Sequence, residues 1–199
     1  MTNETIEEFL ASLADRTSTP GGGAVAAMTG AQAAALISMV ARFTSQSDEM
    51  IQINQRAEQA RGNFLKFIQR DITAFENLML AFEAKKETDG RLETIQAALI
   101  EAADAPREMM LLANSLIDDT ARLARDGNQN LITDTAMVAV LLKATIESAE
   151  YNILINLKSI KNPGYIEEAH ADIDTCRENM IYLGEIADNI RSSLAPTQC

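Results

Sequence analysis

Eight alanines between Ala24 and Ala41, with Gly30 among them, constrain this chain more than any other feature. Alanine has the strongest helix propensity. Its small side chain lets a neighbouring helix backbone come close. Such a helix has to lie deep in a bundle or at a contact between subunits. It is preceded by Ser18-Thr19-Pro20-Gly21-Gly22-Gly23. Proline fixes φ and removes a donor, while glycines permit positive φ and close approach. The stretch predicts a bare loop over residues 15–23 that presents amides at a helix start, where unpaired N–H groups and the helix dipole favour an anion. A flexible connector would use the same residues. No strand precedes the glycines and no Gly-Lys-Ser/Thr follows, which excludes a dinucleotide fingerprint and a Walker A loop.

Helical spacing recurs along the whole chain. Ile6, Phe9, Leu10 and Leu13 predict a first helix, with Thr5 and Glu8 placed for a capping box. The alanine-rich second helix spans residues 24–44. A third, residues 48–84, carries Ala57, Phe64 and Leu78 on one apolar row and Ile68, Phe75 and Phe82 on the next. Asp71 falls on the first row. A carboxylate there is costly unless paired or used, so Asp71 is a buried helix-to-helix hydrogen bond, an edge residue or a functional group. A fourth helical region, residues 92–125, contains Pro106, where it kinks or where two helices meet. Gly127 caps its end.

The fifth helix, residues 133–160, is apolar nearly all round and therefore central. Lys143, Glu147, Glu150 and Lys158 mark its polar edge. Asn152 and Asn156 share one face and need partners when buried, either in a neighbouring helix or in a ligand. Asp134 sits at the helix start, where a carboxylate usually caps. Asn162-Pro163 opens a sixth helix. The expected fold is all-α: a single-domain antiparallel bundle of about six helices over residues 1–199.

With 17 basic and 29 acidic side chains the formal charge is −12. That argues against nucleic acid and anionic membranes as partners. The apolar runs read as interrupted by Lys and Glu, so no membrane span is expected, and no cationic leader opens the chain. The expected location is the cytoplasm. Cys176 and Cys199 make no disulfide framework, His170 reads as a surface side chain, and no metal-ligand spacing occurs.

In combination these residues resemble the cyclodeaminase/cyclohydrolase family of folate enzymes. The resemblance rests on Thr19-Pro20-Gly21-Gly22-Gly23-Ala24-Val25-Ala26-Ala27, Asp71-Ile72-Thr73-Ala74-Phe75, Pro106, Gly127-Asn128, Thr133-Asp134 and Asn152-Ile153-Leu154-Ile155-Asn156-Leu157. The family often has serine where this chain has Ala24, and Ser-Asp where it has Thr133-Asp134. The resemblance implies a helical bundle, a homodimer and a tetrahydrofolate derivative as substrate, with no further cofactor. It implies a folate site drawing on Pro20, Gly21, Gly22, Gly23, Asn128, Asn152 and Asn156, near the glycine stretch.

Methenyltetrahydrofolate carries a cationic amidinium across N5, the bridging carbon and N10. A carboxylate can hold that cation and take a proton from attacking water, as a general base. Asp71 is the first candidate and Asp134 the second. Asn152 and Asn156 would read the pterin edge, and Gly21 to Gly23 would hold an anionic part of the ligand. The expected reaction is hydrolysis to 10-formyltetrahydrofolate. Cyclodeamination of 5-formiminotetrahydrofolate is the alternative, and a non-catalytic folate-binding or interaction bundle is a third reading.

Overall fold

The computed structural model describes residues 5–45, 47–85 and 89–195. Among them lie seven α-helices and no strand: α1 Ile6–Ala14, α2 Gly22–Arg42, α3 Asp48–Glu83, α4 Arg91–Asn114, α5 Ile117–Asp126, α6 Ile132–Leu157 and α7 Pro163–Leu194. A single 3-10 turn, Gln129–Leu131, leads into α6.

Local chemistry sets most of the helix starts. Thr5 and Glu8 form the reciprocal capping box: Glu8 N donates to Thr5 Oγ1 at 3.2 Å and Thr5 N donates to Glu8 Oε2 at 2.7 Å. Ser47 caps α3 through the Met50 N–H. Asn162 caps α7, with Pro163 in the first turn. Helix α2 begins two residues earlier than its side chains suggest, because Gly22 and Gly23 form its first turn. The expected bare loop thus ends at Gly21. None of its three glycines has positive φ; Gly90 alone does among the described residues.

The fourth helical region does break into two, but not at Pro106. Helix α4 continues through the proline, which is buried, and ends at Asn114; Ser115 and Leu116 separate it from α5. A proline at position 106 leaves the carbonyl of Ala102 without its usual i+4 donor. Asn156 of α6 supplies a replacement: its Nδ2 donates to Ala102 O at 3.4 Å. The helix stays continuous through Pro106, and a neighbouring amide takes the carbonyl left without its donor. Asn114-Ser115, weak helix formers that compete for backbone groups, stand where the break falls.

Helices α2 and α6 occupy the centre. Helix α2 packs on α3 and α6, and α6 also packs on α4 and α7. Gly30 lets the fully buried ring of Phe64 lie against the α2 backbone, where a Cβ would overlap it. Helix α2 is long and apolar enough to cross a membrane by length and composition, contrary to the expectation that every apolar run is interrupted. Here it lies in the bundle, with Ala24, Ala27, Ala33, Ala34 and Val40 fully buried. Cys176 is buried on α7, His170 is exposed, and Cys199 lies outside the described residues.

The bundle has two ends. At one meet the start of α2, the last turns of α3 and α6, and the start of α4, tied by Lys161 N donating to Gln96 Oε1 at 2.7 Å. At the other, Asn128 joins the end of α2 to the start of α6: its N–H donates to Thr44 Oγ1 at 3.0 Å and its Nδ2 to Phe43 O at 2.9 Å.

Candidate active site

At the first end a cavity of about 440 Å³ opens between α2, α3, α4 and α6. Its polar lining is Ser18, Thr19, Gly21, Gly22, Gly23, Asp71, Asn152 and Asn156, and its apolar lining includes Phe75, Leu78, Phe82 and Leu99. The lining contains no Lys or Arg. A second, almost wholly apolar groove of about 350 Å³ between α6 and α7 offers only Thr133 and Arg191 as polar side chains. It lacks the convergent polar groups that mark a reaction site.

Asp71 organises the polar lining. It comes from α3, half-buried on the row of the buried Phe64 and Leu78. Its carboxylate accepts the Ala24 N–H, the third residue of α2. Gly21 at the cap position has no side chain to do this, so Asp71 caps α2 from another helix. Burial pushes the Asp71 pKa above the ordinary carboxylate range, and the Ala24 N–H only partly offsets it. The negative charge expected at the glycine stretch is therefore the protein's own. Ala24, where the family often has serine, contributes a backbone N–H here and is itself fully buried.

The three glycines are not equivalent. A Cβ on Gly21 or Gly22 would make ordinary contacts, 3.8 Å from Ser18 O and 3.9 Å from the Asn152 amide. A Cβ on Gly23 would overlap the Asp71 carboxylate. Gly23→Ala is therefore expected to displace Asp71 and cost roughly 1–3 kcal/mol of stability, as overpacked sites do. Turnover should fall with it, whereas Gly22→Ala should stay near wild type in both. Parallel thermal melts and rates check the contrast; equal tolerance of both variants would show that Asp71 can occupy another place.

The two asparagines bond to backbone through their amide nitrogens. Asn152 Nδ2 donates to Ser148 O at 2.8 Å, and Asn156 Nδ2 donates to Asn152 O at 2.9 Å as well as to Ala102 O. The amide nitrogens are thus tied to backbone. Neither Oδ1 has a hydrogen bond among the described residues, which leaves an acceptor on each within the cavity lining.

Pro20 is half-buried next to this group without lining the cavity. Asn128 and Asp134 lie elsewhere. Asn128 belongs to the far end, and its Oδ1 accepts the Asn130 N–H, so its whole amide joins helices. Asp134 lies in the first turn of α6, half-buried. It shares the angular position of Asn152 but stands eighteen residues away, or about 27 Å along the axis. Within one chain it does not reach Asp71. The site also contains residues that periodicity assigned to the core. Phe75 is half-buried and Phe82 is 43% exposed, because their row turns outward from Ile68 toward the end of α3. No group of three or more metal-binding side chains occurs among the described residues.

Comparison with known proteins gives this geometry a context. The sequence pattern of the formiminotransferase-cyclodeaminase family matches residues 5–175. The methenyltetrahydrofolate cyclohydrolase of Methylorubrum extorquens is 33% identical over 183 residues, covering 86% of this chain and 88% of that protein. The formimidoyltransferase-cyclodeaminase of Mus musculus is 29% identical, covering 84% of this chain but 33% of the mouse protein. The crystal structure of formiminotetrahydrofolate cyclodeaminase from Thermotoga maritima superposes with a TM-score of 0.88 at 30% identity, over 97% of this chain and 98% of that one. With a cavity built from the glycine stretch, Asp71 and the α6 asparagines, and relatives matched along nearly its whole length, this chain belongs to the formiminotransferase-cyclodeaminase family.

Proposed function

We propose that the protein is a methenyltetrahydrofolate cyclohydrolase with Asp71 as its general base. One observation carries this reading: the cavity holds a desolvated carboxylate, acceptor oxygens and an apolar aromatic wall, with no cation. A flat cationic amidinium with a polar heterocyclic edge fits that lining. Water adds to the bridging carbon while Asp71 takes its proton. The carbon–N5 bond then breaks as Asp71 returns that proton to N5, and the hydroxyl loses its own proton to solvent as the C=O forms, to leave 10-formyltetrahydrofolate and one released proton. Held close to the cation, the carboxylate stabilises the ground-state charge, so its catalytic gain comes from proton removal. The likeness to the Thermotoga maritima structure favours a second reading, cyclodeamination, in which N10 attacks a formimino carbon and ammonia leaves. The same carboxylate would then manage the proton on the leaving amine. Loss of methenyltetrahydrofolate absorbance above the spontaneous rate is the expected result. No acceleration, with ammonia released from 5-formiminotetrahydrofolate, would replace the first reading with the second.

We further propose that the active form is a homodimer paired across α6. Its outer row includes Met137, Val140, Tyr151 and Ile155, respectively 54, 55, 73 and 59% exposed. Val25 of the adjoining α2 and Phe43, which caps its end, are exposed too. A helix this apolar buries its outer face against something. The row is self-complementary when two copies run antiparallel. The register that sets Lys143 against Glu147 of the partner subunit sets Asp134 level with Asn156 of the partner subunit. Ile155 belongs to both the row and the cavity lining, so the pairing surface runs into the site. Such an isologous pair would supply each cavity with a second carboxylate, Asp134, from across the interface.

A further inference from the structure

Phe82 is a large apolar side chain left 43% exposed, yet its backbone is held firmly. Arg91, in the first turn of α4, donates from Nη2 to Phe82 O at 2.9 Å and from Nε to Ala84 O at 2.8 Å. These carbonyls end α3, where no further turn exists to satisfy them. A cation there also suits the helix dipole. Arg91 forms no ion pair among the described residues; these carbonyls are its partners. The last turn of α3 is thus fixed, and with it the place of Phe82 at the cavity rim. Deeper along the same wall, Leu78 and Leu99 are buried in the core and Phe75 is half-buried. Asn152 and Asn156, from α6, line the same cavity, and their amide nitrogens are taken by backbone carbonyls, which leaves the oxygens as acceptors.

We propose that Phe82 is a specificity-determining residue that covers one face of the substrate's fused nitrogen heterocycle, and that Arg91 is the positioning residue that holds it there. This rests on the folate reading above. The ring supplies a flat apolar surface for a flat cationic system, while the asparagine oxygens take the polar edge. A desolvated cation gains from an aromatic face as well as from contact area. Because the contact forms with the bound ring and changes little as water adds, Phe82 acts on binding more than on the chemical step.

Steady-state kinetics on 5,10-methenyltetrahydrofolate test this. Phe82→Ala should raise KM about tenfold, the usual scale for loss of one stacked heterocycle, with kcat within about twofold. Phe82→Tyr should restore wild-type KM, and Phe82→Leu, which keeps area but loses the flat ring, should fall between. Arg91→Lys, which keeps the charge but not the fork, should raise KM with kcat unchanged. An unchanged KM in Phe82→Ala, or a loss confined to kcat, overturns the proposal. If the wild-type protein has no turnover, equilibrium binding of the same folate by fluorescence decides. Weaker binding by Phe82→Ala than by wild type upholds the proposal. Binding by neither overturns the folate reading, and the proposal with it.

Discussion

Asp71→Asn is expected to abolish most turnover and to leave the fold as stable as wild type or more so. The loss should be on the order of 10²–10⁴-fold, the usual contribution of a general base. The stability follows from the direction of the Asp71 shift. Burial raises its folded pKa above the unfolded value. Its contribution to stability is therefore fully present below the unfolded pKa and lost as pH rises through the folded one. At neutral pH the ionised carboxylate is a cost that asparagine does not carry. The amide oxygen can still accept the Ala24 N–H, so the cap on α2 survives. Melting curves should place the variant at or above wild type at neutral pH, with the gap closing as pH falls below the ordinary carboxylate range. The kcat/KM profile of wild type should show an acid limb displaced upward from that range. Retained turnover together with a lowered Tm would identify Asp71 as a structural clasp alone.

The fold was largely legible because its signals are local. Thr5/Glu8, Ser47 and Asn162-Pro163 cap helices with groups a few residues away, and periodicity needs no partner. The misplacements came where a distant group decides. Gly22 and Gly23 read as loop because glycine is a poor helix former, but Asp71, 48 residues on from Gly23, needs the space that Gly23 leaves. Pro106 reads as a kink or a junction of two helices because its own helix cannot replace the missing hydrogen bond; Asn156 does so from α6. Pro106 and Asn156 are separate features in the sequence, and the structure joins them. Asn156→Ala should consequently weaken the fold by roughly 0.5–1.5 kcal/mol, the net worth of a typical hydrogen bond, because the half-buried Ala102 borders the cavity.

The site was partly legible for the same reason. A carboxylate on an apolar row and two asparagines on one helix face are anomalies visible without a structure, and they do converge. Phe82 was assigned to the core because it continues the row of Ile68 and Phe75. Periodicity finds the face of a helix but not the point where the neighbouring helices stop covering it. Asn128 read as a ligand group because the family pattern includes it, yet all its polar atoms join α2 to the turn before α6. Asp134 is a different case. The first turn of α6 suits a carboxylate by itself, and the exposed Met137 and Val140 border it.

A shared site makes Asp134 testable apart from Asp71. Asp71→Asn and Asp134→Asn homodimers should each be nearly inactive. Co-expressed with different tags and purified as a heterodimer, the two should recover about half the wild-type turnover, because one of the two isologous sites then contains both native carboxylates and the other contains neither. No arrangement confined to one subunit restores activity this way, since each chain would still lack one carboxylate. Tyr151→Glu, which places a charge on the exposed α6 row, should lower the dimer fraction in sedimentation and the turnover together. A heterodimer that forms but stays inactive would remove Asp134 from the partner's site. An Asp134→Asn homodimer with full turnover would remove it from the chemistry altogether. Half-activity in the heterodimer would explain why two carboxylates at opposite ends of one chain's bundle belong to one reaction: antiparallel pairing of α6 reverses the direction of the helix, and the far end of one copy becomes the near end of the other.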